Sequence, residues 1–134
     1  MADEAEKQQW LAAARTAMEI EAQAVTRAAA RLDHALVRAV ELVVAHPGKV
    51  VVTGIGKSGY VARKLVATLS STGTPAVFLH PAEAAHGDLG IYTPGDPTVL
   101  VSKNGSSHEL VSLVPLLVPA STAPGVMLKY ASST

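Results

Sequence analysis

Side chains that could do chemistry fall in three short segments of this chain. Lys57 and Ser58 lie in the glycine-rich segment 54–59, and residues 80–88 hold two histidines and two carboxylates. A third segment, 102–109, combines serines, an asparagine and a glutamate. Lysine, hydroxyls and the N–H groups at a helix start can bind an anion, whereas imidazole and carboxylate groups can move protons near neutral pH. Together the segments favour an anion-binding site with acid–base chemistry.

Each segment directly follows a short aliphatic run, and helical patterns lie between the runs. The runs are 49–53, 76–79 and 98–101, and none of them alternates with polar residues. Strands of this kind are buried on both faces, as in a parallel sheet with helices on each side. The sequence therefore predicts an α/β fold with a doubly wound parallel sheet and flavodoxin-type layering. Because ligands bind beyond the carboxyl ends of such strands, we expect the segments to converge at one edge.

Residues 1–46 precede these runs and form a predicted helical lead-in. Apolar side chains recur there mostly at intervals of three, four or seven residues. Asp33 is a predicted N-cap that divides the region into two helices, and a Pro-Gly pair ends the second helix. We expect a single domain over the whole chain, with its α/β part at 48–134. The lead-in would pack on that part or form a seam with another copy.

The composition excludes several classes of partner and chemistry. Eleven Lys and Arg balance eleven Asp and Glu, and aromatic residues make up only 4%, so a basic nucleic-acid surface with base-stacking side chains is not expected. The chain has no Cys, which excludes disulfides, thiolate zinc sites and cysteine catalysis. The sequence shows neither a signal-peptide pattern nor an apolar run of membrane-spanning length. We therefore expect a cytoplasmic protein that binds a small molecule, without nucleic-acid or membrane partners.

The segment 54–59 is compatible with several kinds of glycine loop. It matches G-x-G-x-x-G, but a dinucleotide fold expects an acidic residue at the end of the second strand, where this chain has none. It also resembles the end of a nucleoside-triphosphate loop, but Val51 occupies the position of that motif's first glycine. An anion site at a helix start, formed by Gly56, Lys57 and Ser58, remains. The alternative is a merely structural turn.

Four of the histidines divide by their position in the chain. His80 and His86 are interpreted as functional, because two imidazoles follow a strand beside the anion loop and can move protons or bind metal. His34 and His46 lie in the lead-in and are interpreted as structural.

Three motifs, taken in order, carry a resemblance to a known family. Residues 54–59 have the sequence GIGKSG, residues 71–75 STGTP and residues 80–90 HPAEAAHGDLG. In this order and spacing the chain resembles the sugar-isomerase (SIS) domain of bacterial D-arabinose 5-phosphate isomerases over about residues 48–117. The resemblance implies conversion of D-ribulose 5-phosphate to D-arabinose 5-phosphate for Kdo and lipopolysaccharide synthesis, by a homotetramer that requires no cofactor.

Matched residue by residue, the resemblance implies catalytic roles for Lys57, His86 and Glu109. Moving a carbonyl between C1 and C2 requires removal of a carbon-bound proton, stabilisation of an enediol or enediolate, and return of the proton. We predict Glu109 as the base, Lys57 as the electrostatic stabiliser and His86 for ring opening or proton shuttling, with the division between Glu109 and His86 left open. Glu109 could also simply complement a helix dipole. His80 matches a position that can hold zinc.

The predicted substrate-binding residues come from all three segments and from the turn between the first two. They are Gly56, Ser58, Gly73, Thr74, His86, Ser102, Asn104, Ser106 and Ser107. Gly73 is also a predicted helix-ending glycine. The third segment departs from the family pattern Ser-Asn-Ser-Gly-Glu-Ser-Ser-Glu, because Asn104 replaces a phosphate-facing hydroxyl and Lys103 adds a charge. The amide of Asn104 can still donate a hydrogen bond.

The resemblance ends near residue 117. A further Glu and His of the family's catalytic set, and the paired regulatory domain of many relatives, have no counterpart in this sequence. Residues 118–122 resemble a later phosphate-side loop. We therefore expect an SIS-like fold that is incomplete at its C-terminal side. Two alternatives to the isomerase remain: a non-catalytic sugar-phosphate-binding module, or another phosphosugar isomerase.

Overall fold

The computed structural model describes residues 1–117 with their side chains and the backbone of residues 126–129. The helices are α1 (Glu4–Ala29), α2 (His34–Ala45), α3 (Lys57–Ser71), α4 (Pro81–Ala85) and α5 (His108–Leu117). The strands are β1 (Val50–Gly54), β2 (Ala76–Leu79), β3 (Thr98–Ser102) and β4 (Val126–Lys129), and a 3₁₀ turn covers Asp88–Ile91. The predicted loop at 118–122 lies outside the described residues. In the described part, no helix combines the length and apolarity needed to cross a membrane.

The two lead-in helices begin at capping side chains. At the start of α1, the carboxylate of Asp3 accepts the Glu6 N–H at 2.8 Å, and that of Glu6 accepts the Asp3 N–H at 2.9 Å. This reciprocal pair satisfies two N–H groups that the helix leaves without partners. Before α2, Oδ1 of Asp33 accepts the Ala35 N–H at 2.7 Å. The predicted N-cap at Asp33 is therefore confirmed.

The chain forms two compact units, Met1–Arg38 and Ala39–Thr134. The sequence predicts the junction at residues 46–48, whereas the units meet within α2. The last turns of α2 belong to the second unit, where Val43 packs against the side chains of the sheet. The assignment of the whole chain to a single domain stays a prediction.

The sheet is parallel throughout, with strand order β2-β1-β3-β4. Val50 of β1 pairs with Ala76 of β2, and Val51 pairs with Thr98 of β3. The predicted parallel α/β fold is confirmed. The sequence predicts three strands, but β4 adds a fourth beside β3. Only four residues make up β4, within a tail rich in Ser, Thr and Pro, so the pattern there gives a weak strand signal.

Buried side chains cover both faces of the sheet. Three consecutive valines of β1 are at most 2% exposed, and they alternate between two core clusters. One cluster joins the sheet to α4 and α5 and contains Val51, Leu79, Ala84, Leu113 and Leu117. The other joins it to α3 and contains Val50, Val52, Ala62 and Val101. Helices on both faces explain why the strand sequences are apolar without alternation.

Candidate functional site

The three chemistry-bearing segments meet where the strands end. We call the side of the sheet formed by the carboxyl ends of the strands its carboxyl edge, and the side formed by their amino ends its amino edge. Strand β1 lies between β2 and β3, and all three are parallel, so their carboxyl ends share an edge. The loop before α3, the start of α4 and the loop before α5 follow those ends directly. The predicted convergence is therefore a consequence of the observed topology.

The glycine loop turns sharply into α3 without a side-chain cap. Gly56 precedes the helix with φ 58° and ψ −131°, a conformation that side chains disfavour, and no side chain caps the first turn. The Gly59 N–H donates to the Gly56 carbonyl at 3.0 Å. Lys57 opens the helix with an exposed side chain, and Ser58 is half-buried. An anion can therefore bind here, to the uncapped N–H groups and to the side chains of Lys57 and Ser58.

Two other glycines of this loop are required for close packing. A Cβ on Gly54 would lie 2.8 Å from the Ser58 carbonyl oxygen and 3.1 Å from that of Val101. A Cβ on Gly59 would lie 2.9 Å from the Gly54 carbonyl oxygen. Gly54 and Gly59 thus let α3 approach the strands, which explains the G-x-G-x-x-G spacing without a dinucleotide.

The two histidines of the second segment have different surroundings. His80 is the N-cap of α4, and its Nδ1 accepts the Ala82 N–H at 3.3 Å while its ring lies edge-on to Phe78. His86 is the C-cap of α4, and its side chain is exposed. The conformation after it requires a glycine, since Gly87 has φ 127°. His86 is therefore open to a ligand, whereas one nitrogen of His80 is already engaged.

Zinc binding at His80 stays a prediction. Within residues 1–117 and 126–129, no three His, Asp or Glu side chains come together in a group that could hold a metal ion. The bond from Ala82 to Nδ1 also places the proton of a neutral His80 ring on Nε2, the nitrogen left for a metal. We derive no catalytic step through zinc.

Several predicted phosphate ligands also shape the loop between β3 and α5. The buried hydroxyl of Ser102 accepts the Gly105 N–H at 3.0 Å. The side-chain oxygen of Asn104 accepts the Ser106 N–H at 3.2 Å, which leaves its amide nitrogen as a donor. Ser106 is exposed and Ser107 is half-buried immediately before α5. The loop therefore retains hydroxyl and amide donors, although its backbone already uses two polar side chains.

Glu109 lies on a cavity of about 240 Å³ between α4 and α5. Most of the cavity is lined by small or aliphatic side chains, and its polar members all belong to α5. The lining residues are Pro81, Ala82, Ala85, His108, Glu109, Ser112, Leu113 and Leu116. Glu109 and α4, the helix that ends at His86, thus line the same cavity.

Gly73 and Thr74 lie at the opposite edge of the sheet. The N–H of Gly73 donates to the Ser70 carbonyl and that of Thr74 to the Leu69 carbonyl, which closes α3 with a left-handed glycine at φ 93°. The predicted helix-ending glycine is confirmed. Because Gly73 and Thr74 precede β2, they are at its amino end. A single chain does not bring them to the carboxyl edge, and their contact with substrate stays a prediction.

An ionic cluster around the buried Asp96, at the amino ends of β1 and β3, is absent from the sequence predictions. The Asp96 carboxylate accepts Lys49 Nζ at 2.6 Å and the Thr93 N–H at 2.8 Å, and it lies 2.9 Å from His46 Nε2. Burial acts to raise the pKa of Asp96, but Lys49, the Thr93 amide and His46 together hold it below its ordinary value. The cluster joins the starts of β1 and β3. His46 is structural, as predicted, and its partners lie too far along the chain for sequence spacing to indicate them.

Comparison with known proteins identifies the family. The chain matches the SIS domain family model over residues 43–127. This chain belongs to the SIS domain family. It is 50% identical over 98 residues to arabinose 5-phosphate isomerase KdsD of Pseudomonas aeruginosa, a match that covers 73% of this chain and 30% of that protein. This chain therefore spans about a third of the length of this curated relative. The resemblance carried by the three sequence motifs is confirmed by the family match.

Solved structures support the same assignment for this SIS domain. A Listeria monocytogenes protein described as a sugar-phosphate isomerase is 38% identical with a TM-score of 0.77, over 86% of this chain and 59% of that chain. An Escherichia coli CFT073 protein in complex with A5P is 42% identical with a TM-score of 0.51, over 63% of this chain and 53% of that chain. The fold predicted from the sequence is thus the fold of these proteins.

Proposed function

We propose that this SIS domain forms the sugar-phosphate site of an aldose–ketose isomerase that interconverts D-ribulose 5-phosphate and D-arabinose 5-phosphate. The observation that carries the proposal is the carboxyl edge of the sheet, to which the topology brings Lys57, the loop after β2 and Glu109. The similarity to an arabinose 5-phosphate isomerase and to a protein in complex with A5P supports this choice of substrate.

The phosphate would bind between the starts of α3 and α5. These helices follow the neighbouring strands β1 and β3, so their positive ends lie at the same edge. Ser58, the amide nitrogen of Asn104, and the hydroxyls of Ser106 and Ser107 are the available donors. Two helix starts and several neutral donors suit a phosphate dianion. They can bind it locally, although the formal net charge of the chain is zero.

The sugar carbons would then lie toward the cavity beside Glu109. In the proposed reaction, Glu109 takes the proton from C1 of the ketose and returns it to C2, while Lys57 stabilises the negative charge on the enediolate oxygen. His86, exposed at the end of α4, would open the sugar ring or shuttle a proton. Lys57, the start of α4 and Glu109 all follow the carboxyl ends of neighbouring strands.

The wider setting of the reaction is part of the proposal. Supply of D-arabinose 5-phosphate for Kdo and lipopolysaccharide would place the enzyme in the cytoplasm. A homo-oligomer, a tetramer by family resemblance, is supported by α1, in which no residue is buried. Trp10, Met18 and Val25 on that helix are 62%, 70% and 69% exposed. Apolar side chains of this size are commonly covered by another copy.

A non-catalytic sugar-phosphate module is the alternative. It is favoured by the loop before α5, in which Ser102 and Asn104 accept hydrogen bonds from the loop's own backbone. A site that binds phosphate without turnover would retain the donors and lose effective proton transfer. The two functions differ in one measurable outcome, formation of the aldose.

The test is incubation of the chain with D-ribulose 5-phosphate, with D-arabinose 5-phosphate followed by NMR. We expect turnover, and a loss of about 10²-fold in kcat for Lys57→Ala, because a charge that stabilises the enediolate is removed. Lys64→Ala is the matched control, since Lys64 is an exposed lysine farther along the same helix. Binding measured by calorimetry without turnover would favour the module. D-fructose 6-phosphate as a second substrate tests for another phosphosugar isomerase.

A further inference from the structure

The cavity between α4 and α5 is lined by a histidine outside the proposed set of Lys57, His86 and Glu109. His108 is the first residue of α5, and it lines the cavity together with Glu109 and Ser112. His108 and Ser112 are four residues apart on the helix and therefore lie on the same face. All polar side chains of the cavity thus come from one wall.

The opposite wall is apolar and is formed by α4. Pro81, Ala82 and Ala85 line it, and Leu113 and Leu116 of α5 complete the surface. Sites for small molecules commonly combine a mostly apolar lining with a few polar groups that fix orientation. A sugar placed in this cavity would meet Glu109, His108 and Ser112 as the polar groups of its lining.

We propose that His108 is a further catalytic residue of this site, which moves the hydroxyl proton while Glu109 moves the carbon-bound proton. The proposal rests on the proposed isomerase function and deepens it. Imidazole suits the role because it donates from one nitrogen and accepts at the other. Because His108 and Glu109 line the same cavity, they can serve the two neighbouring atoms C1 and C2 and their oxygens.

The step balances without any further reactant. Glu109 takes a proton from C1 of the ketose, and the C–H electron pair forms the C1–C2 double bond. The C2 carbonyl pair moves onto O2, which receives a proton from His108. His108 then takes the O1 proton as the C1 carbonyl forms, and the double-bond pair at C2 takes the proton from Glu109. Both side chains end in their starting states, and the sugar has moved one hydrogen from C1 to C2 and one from O1 to O2.

The experiment compares His108→Gln with His34→Gln in the same chain. His34 is an exposed histidine at the first position of α2, so the control makes the same chemical change at the same helix position. For His108→Gln we expect kcat to fall by about 10²-fold with KM changed less than threefold, because proton transfer by a side chain contributes at least that much. We expect His34→Gln to match the unsubstituted chain.

A second measurement needs no variant. On addition of D-ribulose 5-phosphate, the imidazole C–H resonances of His108 should shift and those of His34 should not. Turnover by the unsubstituted chain together with an unchanged kcat in His108→Gln would overturn the role of His108 and leave the isomerase intact. Absence of turnover by the unsubstituted chain would instead overturn the isomerase function. An unshifted His108 resonance would by itself show that His108 does not lie at the ligand site. Should His108→Gln unfold, His108→Asn takes its place.

Discussion

Replacing Asp96 should lower the free energy of unfolding, by an amount that depends on the replacement. The carboxylate is 2% exposed and contacts three groups: Lys49 at 2.6 Å, the Thr93 N–H at 2.8 Å and His46 at 2.9 Å. Asp96→Asn keeps the shape and one acceptor oxygen but removes the charge. Asp96→Ala removes every acceptor. The pair of variants therefore separates the charge from the hydrogen bonds.

The size of each effect follows from the contacts. A hydrogen bond to a charged group is worth about 1 kcal/mol more than a neutral one, and the side chain of Lys49 is 26% exposed, so water can replace part of its interaction. We therefore expect Asp96→Asn to lower the free energy of unfolding by about 1.5 kcal/mol and Asp96→Ala by about 3 kcal/mol. With a urea dependence of about 2 kcal/mol per molar, the unfolding midpoints should fall by about 0.75 M and 1.5 M.

The difference between the unsubstituted chain and Asp96→Asn should also depend on pH. The folded pKa of Asp96 is below its ordinary value of 3.8, so the folded state binds the proton less tightly than the unfolded chain. The contribution to stability is therefore fully present above the unfolded pKa and is lost as the pH falls through the folded pKa. We expect a constant difference above about pH 5 that shrinks below pH 3.8.

The assay is urea unfolding followed by circular dichroism. Fluorescence is unsuitable because Trp10, the one tryptophan, is 62% exposed on α1 and outside the unit that contains the sheet. Asp88→Asn is the matched control, because Asp88 is an exposed carboxylate and its midpoint should not move. Equal midpoints for Asp96→Asn and the unsubstituted chain at pH 7 would refute the argument. So would a difference that persists unchanged into strong acid.

Three further predictions concern the carboxyl edge. Gly54→Ala should lower the free energy of unfolding, measured by thermal unfolding, by about 2 kcal/mol, because its Cβ would meet backbone oxygens at 2.8 and 3.1 Å. Gly90→Ala should be neutral, because a Cβ there has nothing within 4 Å, and equal effects of the two variants would contradict the packing role of Gly54. Thr53→Val should raise the free energy of unfolding by about 1 kcal/mol, and with it the urea midpoint, since the buried hydroxyl of Thr53 has no hydrogen-bond partner among the described residues. A lower midpoint would show that the hydroxyl is hydrogen-bonded. Glu109→Gln should lower kcat for D-ribulose 5-phosphate by about 10²-fold or more with little change in KM, whereas an unchanged kcat would mean that Glu109 only complements the helix dipole.

The features predicted correctly from the sequence are those that a few neighbouring residues encode. Asp33 caps the helix that follows it, and Gly73 ends α3, because each needs only local backbone hydrogen bonds. The three aliphatic runs are parallel strands, and their unbroken apolarity is explained by the helices that cover both faces of the sheet. The motif order and spacing identified the family by the same kind of local information.

The arrangement of the site could be predicted only in part. Parallel strands place the segments that follow them at one edge, so the convergence of the loops with Lys57, His86 and Glu109 follows from the topology. The same topology puts Gly73 and Thr74 at the other edge, away from those loops within one chain. Sequence spacing did not indicate that His108 would line a cavity with α4, because that contact depends on how α5 packs across the sheet.

Contacts between residues far apart in the chain depend on strand order and helix packing. His46 and Lys49 lie 50 and 47 residues before Asp96, and the three side chains are joined because β1 and β3 are neighbours. Strand β4 gained its place beside β3 in the same way, from pairing across the chain. Local sequence patterns predicted β1, β2 and β3, the cap at Asp33 and the family. Strand order and helix packing determined the ionic cluster and the cavity, because contacts between residues far apart in the chain leave no local pattern.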